Sequence, residues 1–186
     1  MIGYAFTGSF CTLSRSLAEL RGLIASGYDV QPIVSENAYS TDTRFFVASD
    51  FRAEVEALCG RKIIHTIRDA EPLGPKFPLE YLIIAPCTGN TLAKIANGIT
   101  DTAVTMAAKA HLRCDRPLLI ALASNDAMSQ NLANIAKLIT RRSVYFIPLS
   151  QDDPQGKPHS LVADFSRMGE AFSEMREGRQ LRPLFI

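Results

Sequence analysis

Short apolar runs alternate with amphipathic stretches along the whole chain. Residues 2–6, 28–34, 81–85, 117–123 and 144–149 are strand-length and carry little charge. Runs of that kind suit strands buried on both faces of a parallel sheet. A shorter run, 62–66, adds a further strand around Ile63 and Ile64. Between these runs apolar residues recur at helical spacing. The first such face is Leu13, Leu17, Leu20 and Ile24. Phe51, Val55 and Leu58 follow, capped by Ser49 or Asp50 and ending at Gly60. Leu92, Ile95, Ala96 and Ile99 end at Asn97-Gly98. Ala103, Val104, Ala107, Ala108 and Leu112 start from Asp101 or Thr102, and Met128, Leu132, Ile135, Ala136 and Ile139 make another face. A last stripe of Leu161, Phe165, Met168, Phe172 and Met175 predicts a C-terminal helix over 161–177, after a polar loop over 150–160. Strand–helix alternation with right-handed crossovers predicts one fold class. It is α/β, a single Rossmann-like (flavodoxin-like) three-layer domain over 1–186, with a parallel sheet and helices on both faces.

The polar positions gather where the strands end. Thr7-Gly8-Ser9 follows the first strand and Ser35 closes the second. Pro86 is expected to stop the central strand, because it has no amide hydrogen to give. Thr88-Gly89-Asn90-Thr91 then opens a helix, and Ser124-Asn125 follows the next strand. In an open α/β sheet all four ends face one crevice. Each of these residues is readable either as a helix cap or as a ligand contact. Taken together they imply a polar, phosphorylated ligand held by hydroxyls, amides and helix dipoles. The first turn is neither a Walker loop nor Gly-x-Gly-x-x-Gly. There is no nucleophile elbow and no Ser-His-Asp spacing, so a bound cofactor would carry the chemistry.

Composition narrows the picture further. The chain has 186 residues, 20 basic and 19 acidic, for a net charge of +1. That balance gives no nucleic-acid footprint. The apolar runs fall far short of the ~20 residues that span a bilayer. The N-terminus lacks a basic flank and reads as a strand, so no leader and no membrane association are expected. Cys11, Cys59, Cys87 and Cys114 have no close pair and no zinc spacing. They predict reduced thiols in a cytoplasmic protein, and the three scattered histidines predict no metal site. His65 reads as a structural residue. Asp69 and Glu71, in the proline-rich loop before the central strand, read as an acid/base pair or as solvated surface.

Gly8-Ser9 and Pro86-Cys87-Thr88-Gly89-Asn90-Thr91, with Lys94, resemble the FMN-binding flavoprotein family of cysteine decarboxylases, which carries Pro-Ala-Ser/Thr-x-Asn-Thr at this place. Within it the chain is most similar to one branch, the dipicolinate synthase B subunits of spore-forming bacteria. The segments behind that likeness are Ala85 to Thr91, Ile99-Thr100-Asp101, Met106 to Ala110, Gln151 to Pro154, Lys157-Pro158 and Ser160 to Ala163. The resemblance implies FMN as cofactor and a homo-oligomer in the cytoplasm of the sporulating mother cell. It implies a separate NAD- or NADP-binding partner, the dipicolinate synthase A subunit. Together the two would oxidise a small dicarboxylate, a dihydrodipicolinate or its hydroxy-tetrahydro form, to dipicolinate. By position Gly8, Ser9 and Ser35, with Thr7, would hold the phosphate and ribityl chain. Pro86, Thr88, Asn90 and Thr91 would meet the ring and nearby oxygens, with Ser124 beside them. Asn125 is the one candidate catalytic position. The decarboxylases' Pro-x-Met-Asn-x-x-Met-Trp is reduced here to Ala123 to Ser129, which keeps Asn125 and Met128 alone. Decarboxylation of a peptidyl cysteine, prenylation of FMN, and a non-catalytic flavin-binding role beside the A subunit are the alternatives. Arg15, Lys94, Lys109 and Lys157 are the cations available to a dicarboxylate.

Overall fold

The computed structural model describes residues 1–74 and 76–186; Pro75, in the proline-rich loop, lies outside them. At its centre are three parallel strands, β1 (Ile2–Phe6), β3 (Tyr81–Thr88) and β4 (Leu118–Ser124), with β2 (Val30–Val34) outside β1. Every residue of β1 and β4 is buried. That matches their charge-free sequences, since helices cover both faces of a parallel sheet. Around them pack α1 (Leu13–Ala25), α2 (Glu36–Ser40), α3 (Ala48–Cys59), α4 (Ile67–Ala70), α5 (Gly89–Ala96), α6 (Ala103–Leu112), α7 (Leu132–Ile139) and α8 (Met168–Arg176). One continuous apolar cluster runs from Ile2 to Leu184 through all the strands.

The sheet is not wholly parallel. Strand β5 (Val144–Phe146) pairs in parallel with the first half of β4 and then stops. The backbone of Ala123 and Ser124 is therefore left without a partner on that side, a cost that buried strands avoid. Strand β7 (Leu161–Ala163) fills the gap in antiparallel register, and β6 (Leu149–Ser150) pairs antiparallel with β7. The expected C-terminal helix over 161–177 is thereby corrected. Its first three residues are a strand, and Asp164 caps a short turn of 3-10 helix before α8 begins at Met168. Leu161 and Ala163 are buried on one side of that strand with Val162 between them half-buried, so the apolar stripe began with strand period rather than helical period.

Other boundaries move for local reasons. Pro86 does not end β3; the strand runs to Thr88 with a register shift between Ile84 and Cys87, where a missing amide does no harm. Residues 62–66 make a single bridge, Ile33 to Ile64, instead of a strand. The Asp42 carboxylate accepts the Ala48 amide at 2.8 Å, so α3 starts before Ser49. Thr66 caps α4 and donates to Asp69 at 2.7 Å. Asp69 is exposed in the first turn of α4. His65 stacks on Tyr39, with ring centroids 3.8 Å apart.

Candidate functional site

The carboxyl ends of β1, β2, β3 and β4 open on one side, and two cavities lie there. The narrower holds about 330 Å³ between Thr7, Gly8, Ser35, Asn37, Thr88, Asn90, Thr91 and Thr102. The wider holds about 580 Å³ and reaches from Gly8, Ser9, Thr88, Gly89, Ser124 and Asn125 out to Arg15, Arg44, Asp152 and Lys157. Gly8 and Thr88 line both. A methyl group added at Gly8 would sit 3.6 Å from the Phe10 ring and 3.7 Å from Asn37 Cβ. Those are ordinary contacts, so the absence of a side chain there widens the join between the cavities without relieving any clash.

Thr7 holds the crevice at its root. It is buried, donates to the Pro86 carbonyl at 2.7 Å and accepts the Thr88 amide at 2.9 Å. Those two bonds lock the end of β1 to the last residues of β3. Thr88 then caps α5, accepting the Thr91 amide at 3.2 Å and donating to the Thr91 hydroxyl at 3.0 Å. The amides of Gly89 and Asn90, earlier in the first turn, have no intrahelical partner. The Asn90 side chain is exposed at the narrow cavity. Beside it Lys94 pairs with Asp101 at 2.9 Å, and Glu36 also lines this cavity, so its lining carries a net formal negative charge. Ser35 caps α2 from the next wall, accepting the Ala38 amide at 3.5 Å.

Gly89 is the tightest point of the wall. A Cβ there would lie 2.3 Å from Ser124 Oγ, 2.6 Å from Asn131 Nδ2 and 2.9 Å from Asp126 Oδ1. These three groups are bonded to one another: Ser124 and Asn131 both donate to the Asp126 carboxylate, Asn131 at 2.9 Å. The Ser124 hydroxyl, and the Asn131 amide with it, hold the Asp126 carboxyl below the usual carboxylate range. Asn125 stands on the exposed crest of that turn and lines the wider cavity. Cys87 faces inward; complete burial pushes its thiol up, so it is a small apolar filler and not a nucleophile.

Of the residues read from sequence, Thr7, Gly8, Ser35, Thr88, Asn90 and Thr91 gather at the narrow cavity, and Gly8, Ser9, Thr88, Ser124 and Asn125 at the wide one. Pro86 lines neither: it is buried, and its carbonyl is taken by Thr7. Asn37, Thr102, Phe10, Phe45, Arg44 and Asp152 were not foreseen. Asn37 follows a capping serine at a strand end, a legible signal. Arg44 and Phe45 arrive on a loop of no regular pattern, which has none. Among the described residues no group of three or more His, Cys, Asp or Glu side chains forms a possible metal centre. No helix there is long and apolar enough to cross a membrane.

Residues 1–170 match the profile of the Flavoprotein family. The chain belongs to that family. This flavoprotein is 40% identical over 185 residues to the dipicolinate synthase B subunit of Bacillus subtilis (strain 168), a match covering 100% of this chain and 92% of the relative. A crystal structure of the dipicolinate synthase B subunit from Bacillus halodurans C superposes with a TM-score of 0.91 at 38% identity, over 100% of this chain and 95% of that one. The FMN-dependent cysteine decarboxylase SpaF has the same fold at 17% identity, with a TM-score of 0.69 over 95% of each chain. The flavodoxin-like α/β fold read from the alternating pattern is the fold of these relatives.

Proposed function

We infer that this flavoprotein binds FMN in the paired cavities. We further infer that it is the B subunit of a dipicolinate synthase, oxidising a dihydrodipicolinate or hydroxy-tetrahydrodipicolinate to dipicolinate with an NAD(P)-binding A subunit. The observation that carries the reading is the pair of cavities joined at Gly8 and Thr88, at the strand ends of a chain 40% identical to a dipicolinate synthase B subunit. The residues fit the group. Cofactor sites run to ~300–1,000 Å³ with a few convergent polar groups, and both cavities fall in or near that range. The side chains of Asn90 and Asn125 face them without a hydrogen-bond partner among the described residues.

In this reading Ser35, Asn90, Thr91 and the first amides of α5 take the phosphate end, where the helix dipole favours an anion. Gly8, Ser9 and Thr88 pass the ribityl chain. Gly89, Ser124 and Asn125 meet the ring, against the apolar sides of Phe10, Phe45 and Val162. Bound FMN supplies a two-electron acceptor. The chain's own part is to orient and to exclude water. The first of these falls to Asn125, placed to direct a polar group of the substrate toward the ring. The second falls to the hairpin loop over 151–160, whose Asp152–Lys157 pair, 2.9 Å long, closes the outer wall.

Anaerobic mixing of the flavin-loaded chain with its substrate and the purified A subunit tests the function. Loss of the oxidised-flavin absorbance at a rate matching turnover is the expected result. An unchanged flavin spectrum during full turnover would make the chain a non-catalytic flavin-binding partner.

A further inference from the structure

The wider cavity has two ends of different chemistry. Gly8, Ser9, Thr88, Gly89, Ser124 and Asn125 are neutral, while the mouth carries Arg15, Arg44, Asp152 and Lys157. The charges at the mouth are not equivalent. Lys157 is already paired with Asp152 at 2.9 Å. Arg15 and Arg44 form no ion pair among the described residues. Two guanidiniums therefore stand without an ion-pair partner over one opening, Arg15 also facing the neighbouring cavity that Glu19, Asp152 and Asp164 line. Elsewhere the available cations are spoken for or misplaced. Lys94 is paired with Asp101 in the narrow cavity, and Lys109 lines a separate hollow with Arg113 and Arg141.

Both arginine side chains are exposed at the mouth. Arg15 projects from the first turn of α1, on the wall that divides this cavity from a second of about 570 Å³ carrying Glu19 and Asp164. Arg44 lies over the Phe45 ring, 4.8 Å from its centroid, and Phe45 itself lines the cavity. Phe10 lines the same wall as a second aromatic surface. A guanidinium presents a planar fork that matches a carboxylate, and an aromatic side chain offers a flat face.

We propose that Arg15 and Arg44 are the specificity-determining residues of this site, each taking one carboxylate of a small flat ligand that carries two of them, with Phe10 and Phe45 along its ring. The proposal rests on the flavin-site reading for what the neutral end holds. It assigns the charged end independently. A monocarboxylate satisfies one fork and leaves the other to water, so the second contact is worth about tenfold in affinity.

The test is calorimetric titration of the FMN-saturated chain, in metal-free buffer at low salt, with pyridine-2,6-dicarboxylate and with pyridine-2-carboxylate. The wild type is expected to prefer the dianion about tenfold. Arg15→Gln and Arg44→Gln should each reduce that preference to within about twofold, and Arg15→Lys and Arg44→Lys should restore part of it. Arg113→Gln, in the separate hollow, should leave it unchanged. The proposal is overturned if the wild type binds neither compound or binds both equally. It is also overturned if Arg113→Gln weakens the dianion as much as the mouth variants do, since that is general charge attraction. FMN titration of the same samples keeps the two readings apart. A chain that takes no FMN but still loses dianion preference in both mouth variants contradicts the flavin reading and supports this one.

Discussion

Replacing Gly89 by alanine separates steric need from mere helix capping at the heart of the crevice. The added Cβ would lie 2.3 Å from Ser124 Oγ, 2.6 Å from Asn131 Nδ2 and 2.9 Å from Asp126 Oδ1. No rotation of the new methyl avoids them, because a Cβ is fixed by the backbone. The Ser124, Asn131 and Asp126 side chains must turn aside, or the turn after β4 or α5 must move. Either way the bonds from Ser124 and Asn131 to the Asp126 carboxylate stretch. Overpacking of this kind costs about 1–3 kcal/mol. Weakening a partly solvated, charge-assisted network adds about 1 kcal/mol. Helix propensity works the other way, since alanine is favoured over glycine by up to about 1 kcal/mol in a helix interior and by less at a first-turn position. The net expectation is about 1–3 kcal/mol of lost stability, which for a chain of this length is roughly 3–10 °C in Tm. Urea and thermal unfolding measure it, and an FMN titration on the folded variant should show weaker binding as the wall shifts. An alanine variant as stable as the wild type with unchanged flavin affinity would refute the reasoning, because the close approach across the crevice would then not constrain the turn.

Three further outcomes follow from single residues. Thr7→Val keeps the shape of a buried side chain but removes its bonds to Pro86 and Thr88, so urea unfolding should show a loss of about 1–3 kcal/mol, and no loss would mean that the clamp is idle. His111 is buried with its Nδ1 unpartnered among the described residues, and burial lowers its pKa to about 4. Its unfolded pKa lies near 6.5, so the unfolded chain binds the proton first and stability falls as pH drops from about 6.5 to about 4. A non-titrating His111→Gln variant should flatten that part of the stability–pH curve. Iodoacetamide on the native chain should modify the exposed Cys11 and Cys114 and leave the buried Cys87 unmodified until the chain is unfolded, as read by peptide mass analysis.

The sequence was most informative where one physical requirement dominated. Charge-free runs such as Ile83-Ile84-Ala85 and Leu119-Ile120-Ala121 have no use except as strands covered on both faces, and they are the centre of the sheet. Thr88 and Thr102 cap helices as their positions indicated, and Gly98 leaves α5 with a φ of +73°. The errors fall where a distant partner decides. Leu161 to Ala163 became a strand because β5 is too short to cover β4. The helix expected from Met128 starts only at Leu132, since Asp126 accepts from the Ser129 and Asn131 amides and Met128 bonds to His159 across the hairpin. At the site, residues attached to strand ends were legible because the fold class sends all such ends to one place. Pro86 lies behind the cavity walls, and a motif position says nothing about which way a carbonyl is used. Arg44, Phe45 and Asp152 reach the cavity on irregular loops, whose course no periodicity records.

The central claim is that the joined cavities hold FMN, and the direct measurement is the visible absorption spectrum of the protein purified alone, with mass analysis of any released chromophore. The account predicts an oxidised-flavin spectrum and a released mass equal to FMN, at about one per chain, either as isolated or after incubation with excess FMN. A protein that stays colourless and takes up no FMN under saturating conditions would contradict it. The crevice would then be that of a partner protein that has kept the fold without the ligand.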